Sequence, residues 1–193
     1  MRMPLGVFML AMLFTMVAGG SSVAMGQNPR SQEFWFSIGA GYGMARARCH
    51  QCANADSEGG LSASLRVGGR ITKKALLGVE VTGWTKSEGG SSTKLGNATI
   101  SGLFYPRRAS SLFIKGGLGF AFYTESNGQE ISGMGGGFNV GLGYDIQVAP
   151  KVSLTPVVDF SFGDVGEAQL DGIDTFTGWR QTLLHFGLGV TFH

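Results

Sequence analysis

Residues 179–193 read WRQTLLHFGLGVTFH, and this stretch decides the fold. From Leu184 every second residue is apolar: Leu184, Phe186, Leu188, Val190 and Phe192. Between them stand His185, Gly187, Gly189, Thr191 and His193, each small or polar. A β-strand sends successive side chains to opposite faces, so the segment has one bulky apolar face and one small polar face. A terminal strand of this kind, with an aromatic in the penultimate place, suits the strand that closes a transmembrane β-barrel against the first one.

The same period recurs along the chain. In residues 34–44, Phe34, Phe36, Ile38, Ala40, Tyr42 and Met44 alternate with Trp35, Ser37, Gly39, Gly41 and Gly43. Residues 61–71, 77–82, 94–105, 112–122, 138–148 and 152–162 repeat the pattern, most thinly in 94–105. Together they predict an all-β fold: an eight-stranded antiparallel up-and-down transmembrane β-barrel with strands of about ten residues. Tight turns are expected at Lys73, Arg107 and Pro150. Longer loops are expected over 46–60, 87–93, 125–132 and 163–178. This asymmetry matches short periplasmic turns and long external loops. Pro156 removes a ladder donor inside a strand, which predicts a bulge there.

Side-chain size orients the faces. The interior of an eight-stranded barrel is just wide enough to be filled by side chains. The Phe, Leu, Ile, Val and Tyr set would overfill it, whereas the Gly, Ser and Thr set fits. A water-facing exterior would carry many Lys and Glu in place of Gly. The bulky face therefore meets lipid. Aromatics near strand ends suit interfacial girdles: Phe34, Trp35 and Phe36, Phe104 and Tyr105, Phe122 and Tyr123, Phe160 and Phe162, Trp179 and Phe192. Trp35 and Tyr123 have lumen-facing parity and are placed at the rims.

Composition agrees with export to a membrane. The 193 residues suffice for one domain, and a net charge of +2 supports no nucleic-acid partner. There are 33 Gly without a G-X-Y period, and only 15% of residues are charged, against a usual quarter or so. Arg2, the apolar run 5–18 and the small residues Ser22, Ala24 and Gly26 form a secretory signal. The expected division is a cleaved signal peptide at 1–26 and a barrel domain at 27–193. No Cys lies near the cleavage site, which argues against a lipoprotein.

Six charged residues share the small face by parity: Arg66, Arg70 and Lys115 against Glu80, Asp145 and Asp159. Burying any of them unpaired costs several kcal/mol. Their balance predicts a lumen charge network around Glu80 and Arg66 that plugs the barrel. Cys49 and Cys52 enclose His50 and Gln51 without a second Cys pair, so a metal site lacks ligands. A disulfide in an external loop is the expected state, with metal binding and free thiols as alternatives. His185 is expected to be a hydrogen-bonded lumen residue, since no nucleophile–base pair accompanies it. The GMGGG run at 133–137 lacks the Lys and the helix of a phosphate loop. Acidic residues crowd the expected external loops (Glu88, Glu125, Glu130, Asp164, Glu167, Asp171, Asp174). Basic ones mark the short turns (Lys73, Lys74, Arg107, Arg108, Lys151). A sharper hypothesis has those acids binding divalent cations and those bases touching inner-leaflet phosphates.

From about residue 33 to 193 the pattern resembles the small eight-stranded outer-membrane barrels of the OmpA/OmpX type. That family usually ends on its aromatic, whereas here His193 follows Phe192. No peptidoglycan-binding domain is expected after the barrel. The resemblance implies a bacterial outer-membrane location and a non-catalytic role in structure or surface interaction, with at most a narrow pore. It implies a monomer without cofactors or bound metal. Its partners would be outer-membrane lipid and lipopolysaccharide, and the barrel-assembly machinery through the C-terminal strand. Two other readings are a lipid-modifying enzyme, as some barrels of this size are, and a porin-like channel for small solutes or hydrophobic ligands.

Overall fold

The computed structural model describes residues 34–48, 56–107, 111–126, 130–170 and 173–193. The signal segment 1–26, Cys49 and Cys52, Arg108 and Asp171 lie outside the described residues. Nine strands follow one another: β1 (Phe34–Arg48), β2 (Glu58–Arg70), β3 (Ala75–Glu88), β4 (Ser91–Phe104), β5 (Leu112–Ser126), β6 (Glu130–Tyr144), β7 (Ile146–Ala149), β8 (Val152–Leu170) and β9 (Ile173–Phe192). β6 and β7 are one wall interrupted at Asp145. Gly143 pairs with Val157 of β8 on one side of the break and Ile146 with Leu154 on the other, in unchanged register. Eight walls therefore stand in antiparallel order. β9 pairs with both β1 and β8, and β6 with β8, so the sheet closes without a free edge. Closure satisfies the backbone hydrogen bonds internally, which is what a lipid environment demands.

The register sets the shape. From Ile38, directly opposed residues run through Leu65, Val81, Ala98, Phe120, Gly136, Asp164 and Arg180 to Arg48. The circuit thus returns to β1 ten residues from its start. That stagger tilts the strands within the usual range of about 35–45°.

Alternation holds around the wall. Leu118 is 74% exposed and Ile100 64%, whereas Glu80 is 1% exposed and Ala121 fully buried. Phe34, Phe104, Tyr144 and Phe192 ring the outside at the end that carries the termini. Trp35 and Trp179 depart from the girdle expectation. Trp35, Trp84 and Trp179 are buried inside, together with Tyr105 and Tyr123.

Three of the expected loops are strand over their described residues. β3 and β4 continue to a two-residue turn at Gly89 and Gly90, with Glu88 opposite Ser91. Both glycines have positive φ, 59° and 88°. That is the turn whose twist matches a hairpin, and Gly accepts it without strain. β5 and β6 likewise pair up to Ser126 and Glu130. β8 and β9 pair up to Leu170 and Ile173, with register irregularities beside Gly166 and Ala168. Glycine and serine made these stretches look like loops, but their backbones complete the ladder.

Pro156 is also accommodated differently from the expectation. It stays in register opposite Leu188 of β9, without a bulge. On its other side the ladder lapses where β6 breaks at Asp145. The Asp145 N–H instead donates to the Ser111 carbonyl at 2.9 Å.

Candidate functional site: the lumen

Strand alternation aims one residue in two at the barrel axis, so the candidate site is the lumen. Its contents are layered. At the end carrying the termini, Trp35, Leu76, Leu103, Tyr105, Phe113 and Val157 pack together. At the opposite, loop end, Trp84, Leu95, Tyr123, Val165, Trp179 and Leu183 form a second apolar cluster with Ala45 and Ala121. Tyr123 and Trp179 pack with ring centroids 4.6 Å apart and planes tilted by 51°, and the Trp84 indole donates to the Gly43 carbonyl at 3.0 Å.

Between the clusters lies a polar layer centred on Lys115 of β5. Its ammonium pairs with Glu80 of β3 and with Asp159 of β8. All three side chains are buried. Asn139 donates to Glu80 Oε2 at 3.1 Å, and Ser101 donates to Asn139 at 3.4 Å. A buried lysine beside two carboxylates is held by the charge-assisted hydrogen bonds it donates to both.

The six sequence-predicted charges divide into separate groups. Lys115, Glu80 and Asp159 meet. Arg66 faces Glu80 in register, yet its guanidinium donates to Ser37 Oγ at 3.1 Å and lies 5.8 Å from the Phe113 ring centroid. Asp145 sits nearer the termini, accepting from Tyr105 Oη at 2.8 Å and Thr155 Oγ1 at 2.9 Å. A line of hydroxyls joins the two groups: Thr155 lies 2.8 Å from Thr191, which bonds Ser37 at 3.0 Å. Arg70 is half-buried beside Leu76 at the termini rim, outside the triad. The network forms at Glu80 as expected, with Lys115 in place of Arg66 as its ion-pair partner.

Toward the loop end Asn97 and Gln181 donate to the Phe162 and Gly96 carbonyls, while several other buried polar atoms have no partner among the described residues. Ser62 Oγ, Ser161 Oγ, Gln181 Oε1, Asp159 Oδ1 and both ring nitrogens of His185 are buried without one. The expectation for His185 holds for its burial and fails for its hydrogen bonding. It faces Asp159 across β8 and β9, but that carboxylate turns to Lys115. Among the described residues no Ser or Asp bonds the imidazole. His193 is buried at the termini end, where its ring lies 3.2 Å from Ser153 Oγ and its N–H donates to the Lys151 carbonyl.

The outer face of the loop end carries bases as well as acids. Arg48 and Arg180 stand directly opposite each other, and Arg180 Nε is 3.3 Å from Asp164. Lys86 pairs with Glu88 at 2.7 Å and Glu58 at 3.6 Å. Basic residues thus do not mark the short turns alone.

The closed barrel has counterparts among solved structures. Neisserial surface protein A matches with a TM-score of 0.55 and 19% identity, over 82% of this chain and 96% of that one. Ail, the attachment invasion locus protein of Yersinia pestis, matches at 0.55 and 15%, over 83% and 99%. A major outer membrane protein from Thermus thermophilus matches at 0.54 and 12%, over 84% and 98%. The fold is that of the small outer-membrane β-barrels. No protein-family model matches the chain, and no curated protein does.

In this barrel the residues that sequence reasoning missed are the apolar lumen side chains: Trp84, Leu95, Phe113 and Leu183. Their signal was present. Each has the parity of the small face, so a large apolar residue there can only point at the axis.

Proposed function

We propose that this protein is exported, loses residues 1–26, and inserts in the bacterial outer membrane as a non-catalytic barrel closed to steady ion flow. Its role is structural or that of a surface-interaction protein. The observation that carries the reading is the buried Lys115–Glu80–Asp159 triad between two apolar clusters. Opening a path requires parting buried opposite charges, at a cost of about 3–5 kcal/mol, and displacing packed aromatic side chains. Planar-bilayer recording of refolded protein tests this. Little or no steady conductance is expected, and a large, stable one would overturn it. Fractionation with unheated and boiled gel mobility tests location. Recovery as soluble periplasmic protein would refute that part.

A surface role is supported by the hairpins at the loop end. β8 and β9 continue well past Phe162, the last lipid-facing aromatic of β8. Two structural counterparts carry "surface protein" and "attachment" in their names. Within this reading Cys49 and Cys52 form a disulfide in the first external loop. Mass spectrometry of the unreduced protein should find two hydrogens missing, whereas two alkylatable thiols would rule the bond out.

A further inference from the structure

The outer wall over β1 to β4 is hollow. Ala40, Ala63, Gly83 and Gly96 oppose one another in register across these strands, so one ladder row carries at most a methyl group on each. The row below is bulky: Leu154, Val190, Ile38, Leu65 and Val81, again in register, from β8 through β9 to β3. The row above runs from Leu61 through Thr85 to Lys94. Phe122 of β5 lies over Gly96 and ends the furrow. The result is an apolar groove of about 1030 Å³ on the lipid-facing side. Lys94 is the one charged residue lining it, is exposed, and makes no ion pair among the described residues.

The hollow row crosses four strands about 4.8 Å apart, roughly 14 Å. Because the register climbs toward the loop end from β1 to β4, the groove is a ramp. At a strand tilt of about 35–45° it spans about 8–10 Å of depth. That is the headgroup-side part of one leaflet, whose hydrocarbon is about 15 Å thick. Its high end, at Lys94, lies beside Thr85 and Thr124, just beyond the apolar band.

We propose that this groove binds one anionic, phosphate-bearing lipid of the loop-end leaflet. An acyl chain lies on the Ala40–Ala63–Gly83 floor and the phosphate meets Lys94. The proposal rests on the outer-membrane reading above. A second copy of the chain fits less well, because it would press Lys94 against an apolar belt with no carboxylate to receive it.

The test is native mass spectrometry of refolded protein taken from micelles containing equal phosphatidylglycerol and phosphatidylcholine. One phosphatidylglycerol per barrel is expected to be retained. Gly83→Leu should abolish retention while leaving the barrel folded, since a Cβ at Gly83 meets nothing within 4 Å. Lys94→Gln should cut the preference for phosphatidylglycerol about fivefold, the effect of one cation near a lipid surface. Wild-type protein without lipid, equal retention by Gly83→Leu, or a wild-type dimer lost in Gly83→Leu would each overturn the proposal. Heat-modifiable gel mobility is measured on the same samples. A barrel that shows it and keeps no lipid overturns this inference alone, whereas one that lacks it counts against outer-membrane insertion.

Discussion

Two neighbouring layers of the lumen are both polar, but they are satisfied to different extents. At the level of Lys115 the charged side chains find partners: Lys115 with Glu80 and Asp159, Glu80 with Asn139, Arg66 with Ser37. Nearer the loop end, Ser62, Ser161 and His185 keep buried atoms without partners. The difference is reach. Lysine, glutamate and arginine extend from the wall to the axis and meet groups from strands across the barrel. A serine hydroxyl stays near its own wall. His185 is longer but rigid, and the carboxylate it faces is already directed at Lys115. In this barrel the long charged side chains meet groups from strands across the lumen, whereas short hydroxyls find partners only where a neighbour stands close by.

Removing the centre of the better satisfied layer should have the largest effect. Lys115→Met leaves Glu80 and Asp159 as two buried like charges, and is expected to cost about 3–5 kcal/mol. Urea unfolding of the barrel in lipid vesicles measures it, and an unmoved midpoint would erase the distinction between the layers. Glu80→Ala should cost less, about 2–3 kcal/mol, because Lys115 keeps Asp159 while Asn139 loses its acceptor. The same variant is expected to admit brief ion currents where the wild type admits none. A cost equal to that of Lys115→Met would mean that Glu80, not Lys115, is the centre. The less satisfied layer should respond weakly and with the opposite sign. His185→Leu removes two unpaired buried nitrogens, and is expected to be neutral or stabilising by about 1 kcal/mol. A clear loss of stability would show that the imidazole has a partner after all.

Much of this was legible in the sequence, and the misses have specific causes. Parity along each strand put Arg66, Glu80, Lys115, Asp145 and Asp159 inside, and the structure buries all five. It did not say which of them meet. Parity also marked Phe113, Trp84 and Leu95 as inward, yet a face described by its Gly and Ser conceals a few large residues. Loop reading failed at Gly89 and Gly90 because the glycines that signal a turn there belong to a two-residue hairpin, not to a long connection.

The sequence by itself determined the all-β class, the number of walls, and which face of each strand is bulky. These follow from a period of two, a local property of the chain. Only the tertiary structure decided that a circuit of the ladder advances by ten residues. From that stagger come the meeting of β3, β5 and β8 at Lys115, the isolation of His185, and the alignment of Ala40, Ala63 and Gly83 into a groove. The reason is geometric: alternation is written within each strand, whereas the stagger is a sum over eight pairings made between residues far apart in the chain.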